Sequence, residues 1–235
     1  MPRKPACEMS LQELAAYVDH SVIKPEFNED EVRNQLRIGV EFGCKNVAVN
    51  PWMLPIAKAI TAGSGVGIDM SLDFPFGYSD RESKWRAAEY LCKQGVTEMD
   101  TVINYGLLRS GKHEELIDVL TPTVQVCHDY GVPIKIILET DALTREEMLH
   151  GLECVIASGA DFVKTSTGFY TGNPNPVGAS PEVISTLIEH ARGRIKVKGA
   201  ACIRTQEHFF KLIDLGVDRM GIGYKSTPVV LAGRK

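Results

Sequence analysis

Short β-prone apolar runs alternate along this chain with longer stretches in which apolar residues return every three or four positions. The short runs lie near Val18–His20, Lys45–Asn50, Gly67–Asp73, Thr97–Asn104, Pro133–Glu139, Asp161–Thr165, Arg194–Lys198 and Arg219–Ile222, and they read as strands. Between them, amphipathic stretches near Asn28–Phe42, Pro51–Ala62, Arg81–Gln94, Glu114–Tyr130, Arg145–Ala157, Pro181–Ala191 and Gln206–Leu215 predict helices. Polar caps mark the helix starts: Asn28, Asn50 ahead of Pro51, Asp80, Thr144, Ser180 ahead of Pro181, and Thr205. Several helices stop at a glycine just before a strand, as at Gly43, Gly95, Gly131, Gly159 and Gly216, where a left-handed residue is wanted.

Strand and helix in this alternation require parallel strands joined by crossover helices. Eight such units predict an α/β chain closed into a (β/α)8 barrel, with residues 1–235 as one domain. An open doubly wound sheet is the alternative, but it usually carries a Gly-rich phosphate loop after its first strand, and no GxGxxG stands there. The run Gly172-Asn173-Pro174-Asn175-Pro176-Val177-Gly178 is a loop between two units of one pattern.

Composition narrows the function classes. Apolar residues make up 44% and charged residues 24% of the 235, and the net charge of −4 is spread in both signs. That is an ordinary globular balance with no nucleic-acid footprint. None of the six cysteines forms a CxxC pair or stands at zinc-ligand spacing with a histidine, so reduced thiols and a cytoplasmic setting are expected. No apolar run approaches a membrane span, and the basic start Met1-Pro2-Arg3-Lys4-Pro5 is not followed by the apolar core of a signal peptide.

In a barrel of this kind, chemistry sits at the C-terminal ends of the strands. There the chain places Asp19-His20, Asn50, Asp73, Asp100 and Asn104, Glu139-Thr140, Lys164-Thr165-Ser166 and Lys198. Singly, each has an ordinary structural explanation: a snorkelling lysine or a hydrogen-bonded aspartate. Together on one barrel mouth, two lysines and an aspartate are suited to Schiff-base chemistry, because two nearby lysines repel and one is held neutral. Histidine is a weaker candidate. Only His20 of the six is near a strand end, and no Asp/His set has metal-ligand spacing.

The segments Asp19-His20-Ser21, Val47-Ala48-Val49-Asn50-Pro51, Asp73-Phe74-Pro75-Phe76-Gly77, Glu98-Met99-Asp100-Thr101-Val102-Ile103-Asn104, Lys135-Ile136-Ile137-Leu138-Glu139-Thr140, Phe162-Val163-Lys164-Thr165-Ser166-Thr167-Gly168 and Val197-Lys198 resemble those of deoxyribose-phosphate aldolase in order and spacing. The resemblance runs from about residue 17 to about residue 225, and its VKTSTG run is highly specific. It implies a TIM barrel and a class I aldolase that needs no metal or cofactor, assembled as a homodimer or homotetramer. It implies Lys164 as the Schiff-base lysine, Asp100 as the proton-relay aspartate, and Lys198 as the second lysine that perturbs Lys164. The implied reaction is reversible cleavage of 2-deoxy-D-ribose 5-phosphate to acetaldehyde and D-glyceraldehyde 3-phosphate. Asp19, Asn50, Thr165, Ser166, Gly199, Gly221, Gly223 and Lys225 are the candidate substrate contacts.

The chain departs from the family pattern on the side where phosphate should sit. Ala201 and Cys202 replace a glycine pair after the second lysine, Gly221-Ile222-Gly223-Tyr224-Lys225-Ser226 replaces a small serine loop, and Phe169-Tyr170-Thr171-Gly172 leads into the Asn-Pro loop. Two readings follow: phosphate is still bound, by Lys225 and the backbone around Gly221–Gly223, or the enzyme is a related aldolase for a different or unphosphorylated sugar. A third, from another class, is a non-catalytic barrel that binds a sugar phosphate. Retention of Lys164, Asp100 and Lys198 argues against it, since a binding module has no need of a buried neutral lysine.

Overall fold

The computed structural model describes residues 4–233, so Met1, Pro2 and Arg3 of the basic N-terminal run lie outside it. Eight parallel strands close in sequence order: β1 Val18–Val22, β2 Asn46–Val49, β3 Gly67–Leu72, β4 Glu98–Val102, β5 Ile134–Ile137, β6 Phe162–Lys164, β7 Lys196–Ala200 and β8 Arg219–Gly223. Closure is made by β1, which pairs with β2 at Asp19↔Asn46 and with β8 at Val18↔Met220. The helices are α1 Leu11–Ala15, α2 Glu29–Glu41, α3 Leu54–Thr61, α4 Arg81–Lys93, α5 Tyr105–Arg109, α6 His113–Asp129, α7 Arg145–Ala157, α8 Pro181–Ala191, α9 Gln206–Leu215 and α10 Thr227–Val230. This is a (β/α)8 barrel, as the alternation of apolar runs predicts.

The caps explain where the helices begin. Asn28 with Glu31 and Thr144 with Glu147 form reciprocal capping boxes on α2 and α7. Asp80, Ser180 and Thr205 accept backbone N–H groups at the starts of α4, α8 and α9. Gly216 closes α9 at φ 106°, a conformation that a β-carbon would oppose. Asn50 makes no such cap: Pro51–Met53 is a 3-10 turn, and the helix proper starts at Leu54, followed at once by Pro55. The seventh strand starts later than the apolar run suggests, because the Arg194 N–H still donates to Ala191 O in the turn that ends α8. The short α1, α5 and α10 have no counterpart in the sequence reading; each spans five residues or fewer.

The two-residue period of each strand divides inside from outside. Met99 faces α6, where its Sδ lies 3.7 Å from Cys127 Sγ, while its neighbour Asp100 points into the barrel. His20 turns outward, donating from Nε2 to Gln35 O (2.9 Å) on α2 and accepting at Nδ1 from Thr227 Oγ1 (2.8 Å). It is fully buried, and this desolvation holds it neutral, lowering its pKa to about 4. Outward apolar residues such as Val47, Met99 and Met220 have no exposed surface, and each stabilises the helix layer by about 1.5–3 kcal/mol. Among the described residues no helix is long and apolar enough to cross a membrane.

Candidate active site

The inward positions of the strands carry charge. β1 supplies Asp19, β3 Asp69, β4 Glu98 and Asp100, β5 Lys135, β6 Lys164, β7 Lys198 and β8 Arg219, all buried. Strand register sets the pairs: Lys164 stands beside Lys198 across β6 and β7, and Asp100 beside Lys135 across β4 and β5. Asp100 Oδ2 lies 2.5 Å from Lys164 Nζ and 2.8 Å from Lys198 Nζ, and Asp100 Oδ1 is 3.2 Å from Lys135 Nζ. Lys198 also meets Asp19 Oδ2 at 2.6 Å and Asp69 Oδ2 at 2.8 Å. Deeper in the barrel, Lys135 faces Glu98 (2.7 Å) and Asp69 (3.0 Å), and Arg219 joins Asp19 (2.8 Å) to Glu98 (3.1 Å).

This arrangement separates the two lysines by role. Burial pushes the Lys164 amine below its ordinary pKa; the neighbouring Asp100 opposes this, and the charge of Lys198 adds to it. Burial would do the same to Lys198, but Asp100, Asp19 and Asp69 surround it and hold it above the ordinary lysine range. Burial likewise opposes ionisation of Asp100, yet Lys164, Lys198 and Lys135 keep it well below the usual carboxylate range. The result is one lysine that can become a neutral amine beside one that keeps its net positive charge. Lys198 is thus more than a perturbing neighbour at a strand end: it sits mid-strand as the hub of three carboxylates.

Lys164 is the last residue of β6 and opens into a cavity at the C-terminal mouth. Phe74 lies with its ring centroid 6.0 Å from Lys164 Nζ, and Phe169 stacks edge-on against Phe74 at 5.4 Å. These rings form an apolar wall beside the amine. The loop after β6 is pinned by Asp141, whose carboxylate accepts from Val177 N (2.8 Å) and Gly178 N (3.0 Å). Glu139, in the left-handed region at φ 61°, accepts from the backbone and hydroxyl of Thr167, and burial raises its pKa.

The structure brings together only some of the remaining sequence candidates. Ser166, Gly221 and Gly223 line the cavity. A β-carbon on Gly221 would lie 3.3 Å from Ala200 Cβ and 3.6 Å from Lys198 Cε, so glycine there avoids crowding between β8 and β7 beside the Lys198 stem. Thr165 instead clamps β6 to β7 through Ala200, accepting from its N–H and donating to its C=O, both at 3.0 Å. Gly199 faces away, where a β-carbon would meet Ala179, just ahead of α8, at 3.1 Å and Ile184 on α8 at 3.2 Å. Asp19 lies beneath Lys198, and half-buried Asn50 stands outside the lining. Lys225 is exposed, its Nζ 5.6 Å from the centre of the adjacent Tyr224 ring, and does not line the cavity either. The basic residues that do, besides Lys164 itself, are Lys24 and Arg204.

Ala201 and Cys202 both adopt left-handed φ, 65° and 60°. Both residues therefore hold a conformation that glycine adopts without strain, in spite of their β-carbons. Sequence reading missed Asp69, Glu98, Lys135 and Arg219. Two of them carried a readable signal, a charge flanked on both sides by apolar strand residues, as in Ile68-Asp69-Met70 and Ile134-Lys135-Ile136; Glu98, after Thr97, and Arg219, after Asp218, did not.

No family model matches the chain. The deoxyribose-phosphate aldolase of Desulfitobacterium hafniense (strain DSM 10664 / DCB-2) is 36% identical over 213 residues, covering 91% of this chain and 95% of that protein. The deoxyribose-phosphate aldolase of Thermococcus kodakarensis (strain ATCC BAA-918 / JCM 12380 / KOD1) is 33% identical over 215 residues, covering 91% and 94%. Among solved structures, one described as QR15, an aldolase, matches with a TM-score of 0.84 at 30% identity, covering 93% of this chain and 94% of that one. A tetrameric deoxyribose phosphate aldolase from Aeropyrum pernix matches with a TM-score of 0.84 at 26% identity, covering 94% and 91%. Sequence likeness over nine-tenths of the chain thus coincides with a shared barrel, and this chain belongs to the deoxyribose-phosphate aldolase family.

Proposed function

We propose that the protein is a class I aldolase that reversibly cleaves 2-deoxy-D-ribose 5-phosphate to acetaldehyde and D-glyceraldehyde 3-phosphate through an imine on Lys164. The observation that carries this reading is a buried amine at the base of an open cavity, lowered in pKa and 2.5 Å from Asp100. A neutral amine attacks an aldehyde carbon; loss of water gives an iminium, which draws electrons from the adjacent C–C bond. As that bond breaks, a base takes the proton of the C3 hydroxyl. The enamine left on Lys164 is then protonated and hydrolysed, releasing acetaldehyde. Asp100 is within reach of Lys164 for these transfers, and the ammonium of Lys198 joins them through Asp100.

Lys24 and Arg204 line the same cavity and suit a phosphate at the far end of the substrate. The glycine-like backbone at Ala201 and Cys202 also favours the phosphorylated sugar over an unphosphorylated one, because both residues hold a left-handed φ that a glycine pair adopts without strain. A homodimer or homotetramer in the cytoplasm accompanies this reading; the Aeropyrum pernix relative is described as tetrameric.

The test is reductive trapping. Acetaldehyde with sodium borohydride is expected to add mass to the peptide that carries Lys164, and the label should vanish in Lys164→Ala. Undiminished labelling of the variant, or no labelling of the wild type, refutes the reading.

A further inference from the structure

The aldol steps leave Asp69 without a part, although it stands at the centre of the charge cluster. It is fully buried on β3, with Oδ1 3.0 Å from Lys135 Nζ on β5 and Oδ2 2.8 Å from Lys198 Nζ on β7. Asp100 on β4 and Asp19 on β1 bear on it directly, and Lys164 on β6 and Arg219 on β8 interact with it at longer range. Glu98 reaches it only through Lys135.

The charges in this interior balance only in certain states. Asp19, Asp69, Glu98 and Asp100 are carboxyl groups, and Lys135, Lys198 and Arg219 are cations enclosed by them. Lys164 is the remaining cation when protonated. When it is a neutral amine, ready to attack, ionisation of all the carboxyl groups would leave one uncompensated negative charge in a buried interior, which is strongly disfavoured. One carboxyl must then hold a proton. Asp100 lies against three ammonium groups, Asp19 takes Lys198, Arg219 and the Asn46 amide (2.8 Å), and Glu98 takes Lys135 and Arg219. Asp69 has only the two lysines that it shares with the others.

We propose that Asp69 is the proton store of the cluster, taking up the proton that Lys164 gives up and returning it when the iminium forms. The inference rests on the Schiff-base reading of Lys164. The path is continuous: Lys164 Nζ to Asp100 Oδ2, Asp100 Oδ2 to Lys198 Nζ, and Lys198 Nζ to Asp69 Oδ2. An N–H bond of Lys164 breaks and an O–H bond forms on Asp100. The Lys198 ammonium releases one proton to Asp69 Oδ2 and takes the proton of Asp100 in its place, so it ends as the ammonium it began. Net, one proton moves from Lys164 to Asp69, and the charge of the cluster is unchanged. In reverse, the carbonyl condenses with the amine, water leaves, and the stored proton gives the iminium its positive charge. Burial and the charge of Asp100 raise the Asp69 pKa to about 6 against the pull of Lys135 and Lys198, which fits the assignment. In this role Asp69 is a positioning residue for charge; it does not touch substrate.

The experiment uses the intact protein with carbon-13-labelled aspartate, which removes Glu139 from the signal. Infrared spectra of the unliganded wild type at about pH 5.5, well above the range in which ordinary aspartates ionise, should show a protonated aspartate carboxyl that is missing from Asp69→Asn. On adding acetaldehyde in weak buffer, the wild type should form its imine without exchanging protons with solvent, whereas Asp69→Asn should take up about one proton per imine. A wild-type spectrum with no protonated aspartate, a band that survives in Asp69→Asn, or an Asp69→Asn imine formed without proton uptake overturns the proposal. The wild-type spectrum decides even if the variant does not fold. Failure of borohydride trapping on Lys164, with the band present and lost in Asp69→Asn, would refute the Schiff-base chemistry while leaving Asp69 as the protonated carboxyl.

Discussion

Replacing Asp100 by asparagine separates the two stages of the proposed reaction. The side chain keeps its size but loses the charge that lies 2.5 Å from Lys164 and 2.8 Å from Lys198. Breaking a buried ion pair typically costs about 3–5 kcal/mol. Here Lys164 can shed its proton, after which Asp19, Asp69 and Glu98 still balance Lys135, Lys198 and Arg219. The loss of stability should therefore fall near the lower end, about 3 kcal/mol, and the variant should stay folded. Asp100 is the main charge that raises the Lys164 pKa, so without it the amine becomes neutral at lower pH, and the pH profile of imine formation moves to the acid side. Proton transfer fares differently. Removing a positioned acid–base group costs about 10²–10⁴ in rate, or roughly 3–5 kcal/mol in the barrier. Borohydride trapping with acetaldehyde should thus still label Lys164 in Asp100→Asn, while kcat for cleavage of 2-deoxyribose 5-phosphate falls by that factor. A folded variant with kcat within tenfold of wild type, or an imine profile displaced to higher pH, would refute the reasoning.

Two further outcomes follow from the cavity rim. Because Lys24 and Arg204 line the cavity and Lys225 does not, Arg204→Met and Lys24→Met should each lower the ratio of kcat/KM for 2-deoxyribose 5-phosphate to that for 2-deoxyribose by about tenfold to a hundredfold, the worth of one charge-assisted contact. Lys225→Ala should leave the ratio unchanged; the reverse pattern rejects this assignment of the phosphate end. Ala201→Gly and Cys202→Gly should each relieve a left-handed φ and stabilise the protein by about 1 kcal/mol, raising Tm by roughly 2–4 °C in a thermal melt, and a lowered Tm would show that the β-carbons contribute more in contacts than they cost in strain.

Much of the architecture was already written in local pattern. A strand shows itself by an apolar run and a helix by its recurring face and its cap, so Asn28, Asp80, Thr144, Ser180 and Thr205 could be placed before any coordinates. Lys164 and Asp100 stood out as candidates because each places a charge in a predicted strand within a distinctive motif. Boundaries were less legible where neighbouring groups compete for the same backbone. The late start of β7 depends on a turn bond from Arg194 to Ala191, and the failed cap at Asn50 depends on the geometry of the turn at Pro51.

The direction of a strand residue in isolation cannot be read beyond its parity, and a residue's partners not at all. Asp69 and Lys135 stand 66 positions apart, and Lys198 lies 129 from Asp69, yet one ammonium and its carboxylates meet in the barrel interior. Nothing local marks Gly199 as packing on α8 while Gly221 lines the cavity, or sets Lys24 and Arg204 on the cavity and Lys225 off it. The sequence by itself determined the eight-unit order and the caps at Asn28, Asp80, Thr144, Ser180 and Thr205, because these rest on contacts within a few residues, and it singled out Lys164 as the candidate Schiff-base lysine. Tertiary structure decided which lysine can become a neutral amine, because that depends on how many buried charges from other strands surround each amine.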